Sequence, residues 1–451
     1  MQHPPGRSTV DRPVVALTAG TGREHRGLVT EVQQRTGPVP VWRHRDFMLL
    51  WGGQTASEAG SAITRYALPL TAVLAPLNAT TLQMGLLSAA ASLAFVLVAL
   101  PAGVVVDRLP KRRLMIWCDA ARFVVVGAVP LLYALDMLAL WHLFVVAVLA
   151  GVCTVFFDVA YQSYLPALLT RAQLMDGNGK LGASQSLANV SGPVLGTGLV
   201  AWLGAAGAMV VDALSYLVSA ISLGRIRTAE PAPEPAPPRP PGTAPAGREF
   251  VAGLTFVARH PILRRVVACT SVSNLFDAIS AALMILFAVR VLQVSPALLG
   301  LLLAAGSVGG IAGGLLTGRL TRLIGSARLI WFSILVFGAV PALIPLAQPG
   351  WWVVLFVLGN AGYGFSAVAY NTAQVTYRQS VTPPELLGRV NAAVRWLVWG
   401  TLPLGAVLGG VLGSTLGIRP AMWIAVAGGW AAGLFVFFSP LRRMRDIPAD
   451  A

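Results

Sequence analysis

The stretch from Thr81 to Asp119 restricts the folds open to this chain more than any other. From Met84 to Val106 it runs for more than twenty residues without a charge. A helix of that length, rising about 1.5 Å per residue, crosses a bilayer core of about 30 Å. The run stops at Asp107-Arg108, a basic cluster of Lys111, Arg112 and Arg113 follows, and a second apolar run begins at once. Two spanning helices joined by a tight basic turn fit that pattern, because basic residues collect on one side of a membrane.

The rest of the chain repeats it. Twelve apolar segments lie near 46–75, 82–106, 113–135, 140–164, 181–203, 206–225, 264–290, 296–318, 327–348, 351–377, 389–415 and 419–438. Only 11% of the residues are charged, against about 25% in soluble domains. A net charge of +15 would suggest nucleic acid in a soluble chain, but its distribution says otherwise. All but five of the 33 Lys and Arg lie in the N-terminal tail, in alternate loops or at the C-terminus. The exceptions are Arg65, Arg122, Arg290, Arg395 and Arg419. That asymmetry predicts cytoplasmic termini and no nucleic-acid partner. Cys118, Cys153 and Cys269 fall within apolar runs and read as small buried hydrophobes.

Residues 1–42 are polar, Pro- and Gly-rich and basic, and read as a disordered cytoplasmic tail. A six-helix bundle is expected over 43–225 and a second over 264–440, with a short tail at 441–451. Between them, the linker 226–263 begins Pro-rich and extended. It ends in an amphipathic surface helix in which Phe250, Leu254 and Val257 recur at helical spacing. The halves echo each other. Asp107-Arg108 is matched 211 residues later by Gly318-Arg319, Thr170–Leu174 by Thr382–Leu386 at 212, and Ser57-x-x-x-Ser61 by Ser273-x-x-x-Asp277 at 216. Matches at nearly one offset predict a duplicated six-helix unit.

The turn Gly103-x-x-x-Asp107-Arg108-x-Pro110-Lys111-Arg112 resembles the G-x-x-x-D-R-x-G-R-[RK] loop of the major facilitator superfamily, with Pro110 where glycine is usual. Within it, the segments Phe47–Glu58, Asp119–Arg122, Val211–Tyr216, Ala258–Arg265 and Glu385–Ala393 resemble the transmembrane secretion effectors, the subgroup holding the enterobactin exporter and the macrolide efflux proteins. The resemblance implies an all-α membrane protein of twelve helices in two parallel repeats, with a substrate site between them near the midplane. It also implies that Asp107 makes a contact in one transport state only, biasing the equilibrium between the two.

An ionisable group near the bilayer centre costs about 2.5–3.5 kcal/mol on insertion scales, so each must face protein or water. Glu58 and Arg65 stand two turns apart on the first segment, with Ser61 between them where related exporters often carry aspartate. Asp277 lies in the middle of the seventh, with Asn274 one turn below. Glu58 and Asp277 are expected to face each other across the cavity and to bind protons or a cationic substrate. Arg65 would take a substrate anion or serve as counter-ion; the alternative is a static ion pair that fixes helix register. Asp119, Arg122, Asp158 and Arg395 suit a cytoplasmic gate together with Asp107, Arg108 and Arg112, or simple structural pairing. Asp212 reads as structural. Gln54, Gln162, Gln185, Asn189, Asn371, Gln374, Trp396 and Trp399 are candidates to line the path, or else interhelical bonds and core fillers. Ser191-Gly192-Pro193-x-x-Gly196 resembles an antiporter stretch, and Pro403-x-Gly405 stands at the corresponding place of the eleventh segment.

The sequence holds no G-x-x-x-x-G-K-[ST] phosphate loop and no H-E-x-x-H, so neither an enzyme nor a bound cofactor is expected. The expectation is a monomeric secondary active transporter of the bacterial cell membrane. It would export a small amphipathic molecule (drug, siderophore or secondary metabolite) coupled to protons. Lipid or lysolipid translocation, or a non-transporting receptor or scaffold, are the other readings.

Overall fold

The structure, a computed structural model, describes residues 41–74, 76–228, 230 and 246–446. The tail expected over 1–42 therefore lies almost wholly outside the described residues, as does the Pro-rich half of the linker. The described residues form helices and turns, with no strand among them.

The spans, in order, are Arg45–Val73, Thr81–Asp107, Lys111–Ala134 and Leu140–Leu168 for the first four. The fifth and sixth are the arms of one element, Arg171–Gly224, broken at Gly204, whose φ of 76° and ψ of 164° are non-helical. The seventh, Leu263–Leu286, runs on into a π turn at Phe287–Val291. Pro296–Ile324, Ser326–Leu346, Gly350–Val381, Pro384–Thr415 and Ile418–Phe437 complete the series. Among the described residues ten elements are long and apolar enough to cross a membrane, and the one broken at Gly204 counts once among them. The first span falls below that hydropathy because it carries Gln54, Glu58 and Arg65, yet at 29 residues it is long enough to cross and is packed like the rest. The fifth span starts at Arg171, ten residues before its apolar run, because the Gln173 side chain accepts from the Thr170 N–H at 3.2 Å and caps an earlier turn.

Lipid is as apolar as leucine, so spans associate through close packing and polar bonds. A Cβ on Gly53 would meet Ser219 and Ser222, and one on Gly60 would meet Ser215 and Asp212, so the first and sixth spans run antiparallel. Gly192 and Gly196 seat the fifth span on Ala62 and Ile63, parallel to the first. Each half gathers a core near the basic turns, built mainly on its first, third, fourth and sixth spans. Phe47, Met115, Phe157 and Leu223 form it in the first half; Cys269, Ile330, Tyr377 and Val436 form it in the second. The linker helix Ala246–Arg259 does not lie free on a surface: Gly253 abuts the Arg389 carbonyl, and Val257 joins Val390 and Val394 of the eleventh span.

The duplication reappears in the backbone caps. His44 Nδ1 accepts from Phe47 N at 3.1 Å, and His260 Nδ1 from Leu263 N at 3.1 Å, each residue 216 positions from its counterpart. Accepting an N–H requires a neutral ring, and burial holds the pKa of His260 below the usual histidine value. The third span begins with Lys111 N donating to Glu230 Oε1 at 2.7 Å; the ninth begins with Ser326 N donating to Asp446 Oδ1 at 2.9 Å. These acids also stand 216 apart, each at the positive end of a helix dipole.

The halves join from the loops opposite the basic turns down to mid-span. Arg290 Nη2 donates to the Ala79 carbonyl at 2.7 Å, and Ser307 Oγ to the Asn189 carbonyl at 3.4 Å. Gly85 and Gly410 let the second and eleventh spans touch, since a Cβ on Gly85 would sit 2.6 Å from the Gly410 Cα. Furthest toward the basic turns, the rings of Phe95 and Trp399 meet at 4.4 Å.

Candidate functional site

Polar side chains half-way along a lipid-crossing helix are stable only against protein or water. The larger ones exposed here include Arg65, Gln162, Gln185, Asn189, Asn371 and Arg395. Contacts place three of them, Arg65, Asn189 and Arg395, where the halves meet. Arg65 Nη1 donates to Asn189 Oδ1 at 3.2 Å, and the Asn189 carbonyl is the one that Ser307 of the eighth span reaches. The Arg395 guanidinium lies over the Trp399 ring at 4.8 Å. Arg395, Trp396, Trp399 and Phe95 surround a pocket of about 200 Å³ between the eleventh and second spans. Phe250 of the linker helix closes edge-on against Trp396 at 5.8 Å. Neither Arg65 nor Arg395 has an ion-pair partner among the described residues.

Glu58 is half-buried, accepts from Gln54 Nε2 at 3.1 Å, and lies within charge–charge reach of Asp158 and Tyr161 of the fourth span. Gln162 follows Tyr161 on that same span. Gln374 is buried and donates to Asn371 Oδ1 at 3.0 Å. Asn274 Nδ2 reaches the Val398 carbonyl at 3.4 Å, tying the seventh span to the eleventh.

Asp277 has other neighbours. It lines a partly open cavity of about 170 Å³ inside the second half, between spans seven, nine, ten and twelve. The Tyr363 hydroxyl stands beside its carboxyl, and Ser273, Asn360, Tyr370 and Trp430 share the walls. The structure thus does not bring Glu58 and Asp277 together: one faces the fourth span, the other the interior of its own bundle.

Asp119 and Arg122 form an ion pair, 0% and 3% exposed, in the interior of the first half. The guanidinium sits 4.6 Å from the Phe157 centroid and 4.4 Å from that of Tyr216. Ser61 Oγ and the Tyr216 hydroxyl are 2.9 Å apart, so Ser61 belongs to this interior as well. Asp212, wholly buried, accepts from Ser215 Oγ at 3.2 Å. These groups join spans one, three, four and six, and Arg395 lies elsewhere.

In the basic turn, Gly103 is half-buried, and Asp107 and Arg108 are exposed. Asp107 makes no hydrogen bond or ion pair among the described residues. Arg112 is a helix cap: Nε donates to the Leu223 carbonyl at 2.8 Å and Nη2 to the Gly224 carbonyl at 2.6 Å, at the end of the sixth span. Lys111 Nζ comes within 4.0 Å of Glu230. Two residues that sequence reasoning missed complete this region. Glu230 takes the first N–H groups of the third span, and Asp46 Oδ2 accepts from Arg227 N at 3.1 Å and Thr228 N at 2.8 Å. The signal for Glu230 was its spacing from Asp446; for Asp46 the sequence offers none. Tyr363 and Phe95, which complete the cavity and the interface pocket, also carry no pattern of their own.

A family model described as transmembrane secretion effector matches residues 36–450. The multidrug efflux pump Tap of Mycolicibacterium fortuitum is 27% identical over 408 residues, 89% of this chain and 97% of that protein. Macrolide efflux protein A of Streptococcus pyogenes is 24% identical over 389 residues, 85% of this chain and 92% of that protein. Among solved structures, a bacterial homologue of the iron transporter ferroportin in its inward-facing state has the same fold. It aligns with a TM-score of 0.66 at 14% identity, over 87% of this chain and 98% of that one.

Proposed function

Because this chain belongs to the transmembrane secretion effector family of the major facilitator superfamily, we propose that it exports a small amphipathic molecule by alternating access, coupled to inward proton flow. The observation that carries this reading is the exposure of Arg65, Asn189, Gln162, Gln185, Asn371 and Arg395 within the spans, from mid-span toward the basic turns. Six polar groups at that depth imply a wet space between the halves, since lipid would not tolerate them. That space is sealed at one end by the Arg290–Ala79 and Gly85–Gly410 contacts. With the basic turns assigned to the cytoplasm, it opens inward, ready to take substrate from the cell.

The lining supports a substrate with both an apolar body and charge. Trp396, Trp399 and Phe95 offer aromatic faces, and Arg65 and Arg395 offer guanidinium groups. Glu58 is the acid best placed to carry the coupling proton. It faces Asp158, so that two carboxylates share one neighbourhood and the gain of one proton removes their repulsion. A protonated pair lets the first and fourth spans close together; the ionised pair holds them apart and wet. Asp107, free in this state, gains its partner when the basic ends close.

The relatives, a multidrug pump and a macrolide pump, choose the first probe. In an efflux-deficient host, expression should lower accumulation of erythromycin several-fold, and a protonophore should abolish the effect. Accumulation unchanged by expression across a panel of macrolides, cationic dyes and siderophores would remove the export reading.

A further inference from the structure

In the first half, spans one, three, four and six enclose a cation of their own. Arg122 lies between Phe157 and Tyr216 and is paired with Asp119. In the second half the same four helices of the repeat, spans seven, nine, ten and twelve, enclose about 170 Å³ of space. An acid is present, since Asp277 stands 216 residues from Ser61. Aromatic walls are present in Tyr363, Tyr370 and Trp430. The cation is missing. The 215-residue offset that sets Ser326 on Lys111 puts Phe337 at the place of Arg122. The Phe337 ring packs away against Phe332 at 5.2 Å and Phe365 at 4.8 Å. Its neighbour Gly338 lines the cavity with no side chain, where the ninth span leaves the α form for a 3-10 turn at Phe337–Ala342. Ser273 Oγ is buried in the same wall, beside the Cys269 thiol.

We propose that this cavity binds a small organic cation, a primary ammonium or guanidinium on a compact apolar body, with its charge on Asp277 where the first half uses Arg122. A carboxyl at this depth either keeps its proton or is ionised against a counter-charge, which a ligand cation supplies. The Tyr363 and Ser273 hydroxyls and the Asn360 amide oxygen offer further acceptors to a three-donor ammonium, and the rings offer cation–π faces. The size fits: an apolar cavity of about 150 Å³ takes a benzene ring. A bare metal ion fits poorly, since Met284, Ile334, Pro341 and Ile344 make up much of the wall and a hard cation needs six or more oxygens. Spans nine and twelve pack within their own half, and Trp430 is 40% exposed on that side, so the ligand enters from lipid. This site is separate from the space between the halves.

Saturable binding of radiolabelled 2-phenylethylamine to the purified full chain in nanodiscs tests it, with 2-phenylethanol as the uncharged competitor of similar shape. One site is expected, with 2-phenylethanol at least tenfold weaker. Asp277→Asn should weaken the amine at least tenfold. Gly338→Arg, which leaves Asp277 in place and whose Cβ meets nothing closer than 3.5 Å, should abolish binding by supplying the guanidinium internally, with the melting temperature held or raised. The absence of saturable binding, equal affinity for the alcohol, or amine affinity surviving both substitutions overturns the assignment. So does amine binding lost in Glu58→Gln, which would place the ligand between the halves.

Discussion

The two halves of this protein share their helix ends and differ in their interiors. At the ends, the same backbone groups are satisfied in the same way: a histidine caps the first span of each half, and an acid from the chain after the last span caps the third. Inside, the first half buries Asp119 against Arg122 and holds Asp212 close by, whereas the second has Asp277 beside a cavity. The difference follows from what each region must satisfy. The first turn of any helix leaves N–H groups without partners, whatever its side chains, so the caps are required in both copies. Interior side chains need only local satisfaction, which a self-contained ion pair and a ligand-sized cavity achieve differently.

The comparison breaks most visibly at Arg122. Arg122→Met strands Asp119 as a buried, uncompensated charge and should cost about 3–5 kcal/mol, read as a collapse of folded yield and melting temperature in detergent. Removing both charges with Asp119→Leu and Arg122→Met should restore wild-type stability or exceed it. If Arg122→Met alone is tolerated, the first half does not depend on its internal pair. The shared caps come next. Glu230→Ala and Asp446→Ala should each cost about 0.5–2 kcal/mol, and near-equal losses in thermal unfolding would show that the duplicated ends carry equal weight. The smallest effect belongs to the second interior. Asp277→Asn swaps a carboxyl that has no cationic partner among the described residues for an amide of the same shape, so stability should change by about 1 kcal/mol or less, without loss of yield. A loss as large as that of Arg122→Met would mean that the two interiors are alike after all.

How much of this was legible in the sequence varies by level. The spans are legible because a run such as Met84–Val106 has few physical alternatives, and each expected segment has its observed helix. The fifth starts early only because a polar capping turn precedes its apolar run. The hinge between the fifth and sixth spans fell where expected, at the break between 203 and 206, because Gly204 adopts a positive φ that other residues avoid. The direction in which a mid-span side chain points is not legible. Successive residues on a helix turn by about 100°, so Ser273, Asp277 and Ser280 share a face of the seventh span, but nothing in their spacing says whether that face meets the other half or its own bundle. Its depth could be read, but not its orientation toward the bundle interior. Arg122 and Asp119 show the same limit, since their spacing reveals a pair but not the rings of Phe157 and Tyr216 that enclose it. Glu230 was hidden for another reason: in sequence it is one acid at the edge of a Pro-rich linker, marked only by its 216-residue spacing from Asp446, and the fold brings it to Lys111 N.

Proteoliposomes holding the full chain and a trapped pH dye, challenged with erythromycin, give the most direct measurement of how the two halves divide the work. Drug-driven proton counterflow is expected in the wild type and in Asp277→Asn, and is expected to vanish in Glu58→Gln. Counterflow at the wild-type rate in Glu58→Gln, or its loss in Asp277→Asn alone, would contradict the assignment of coupling to the space between the halves.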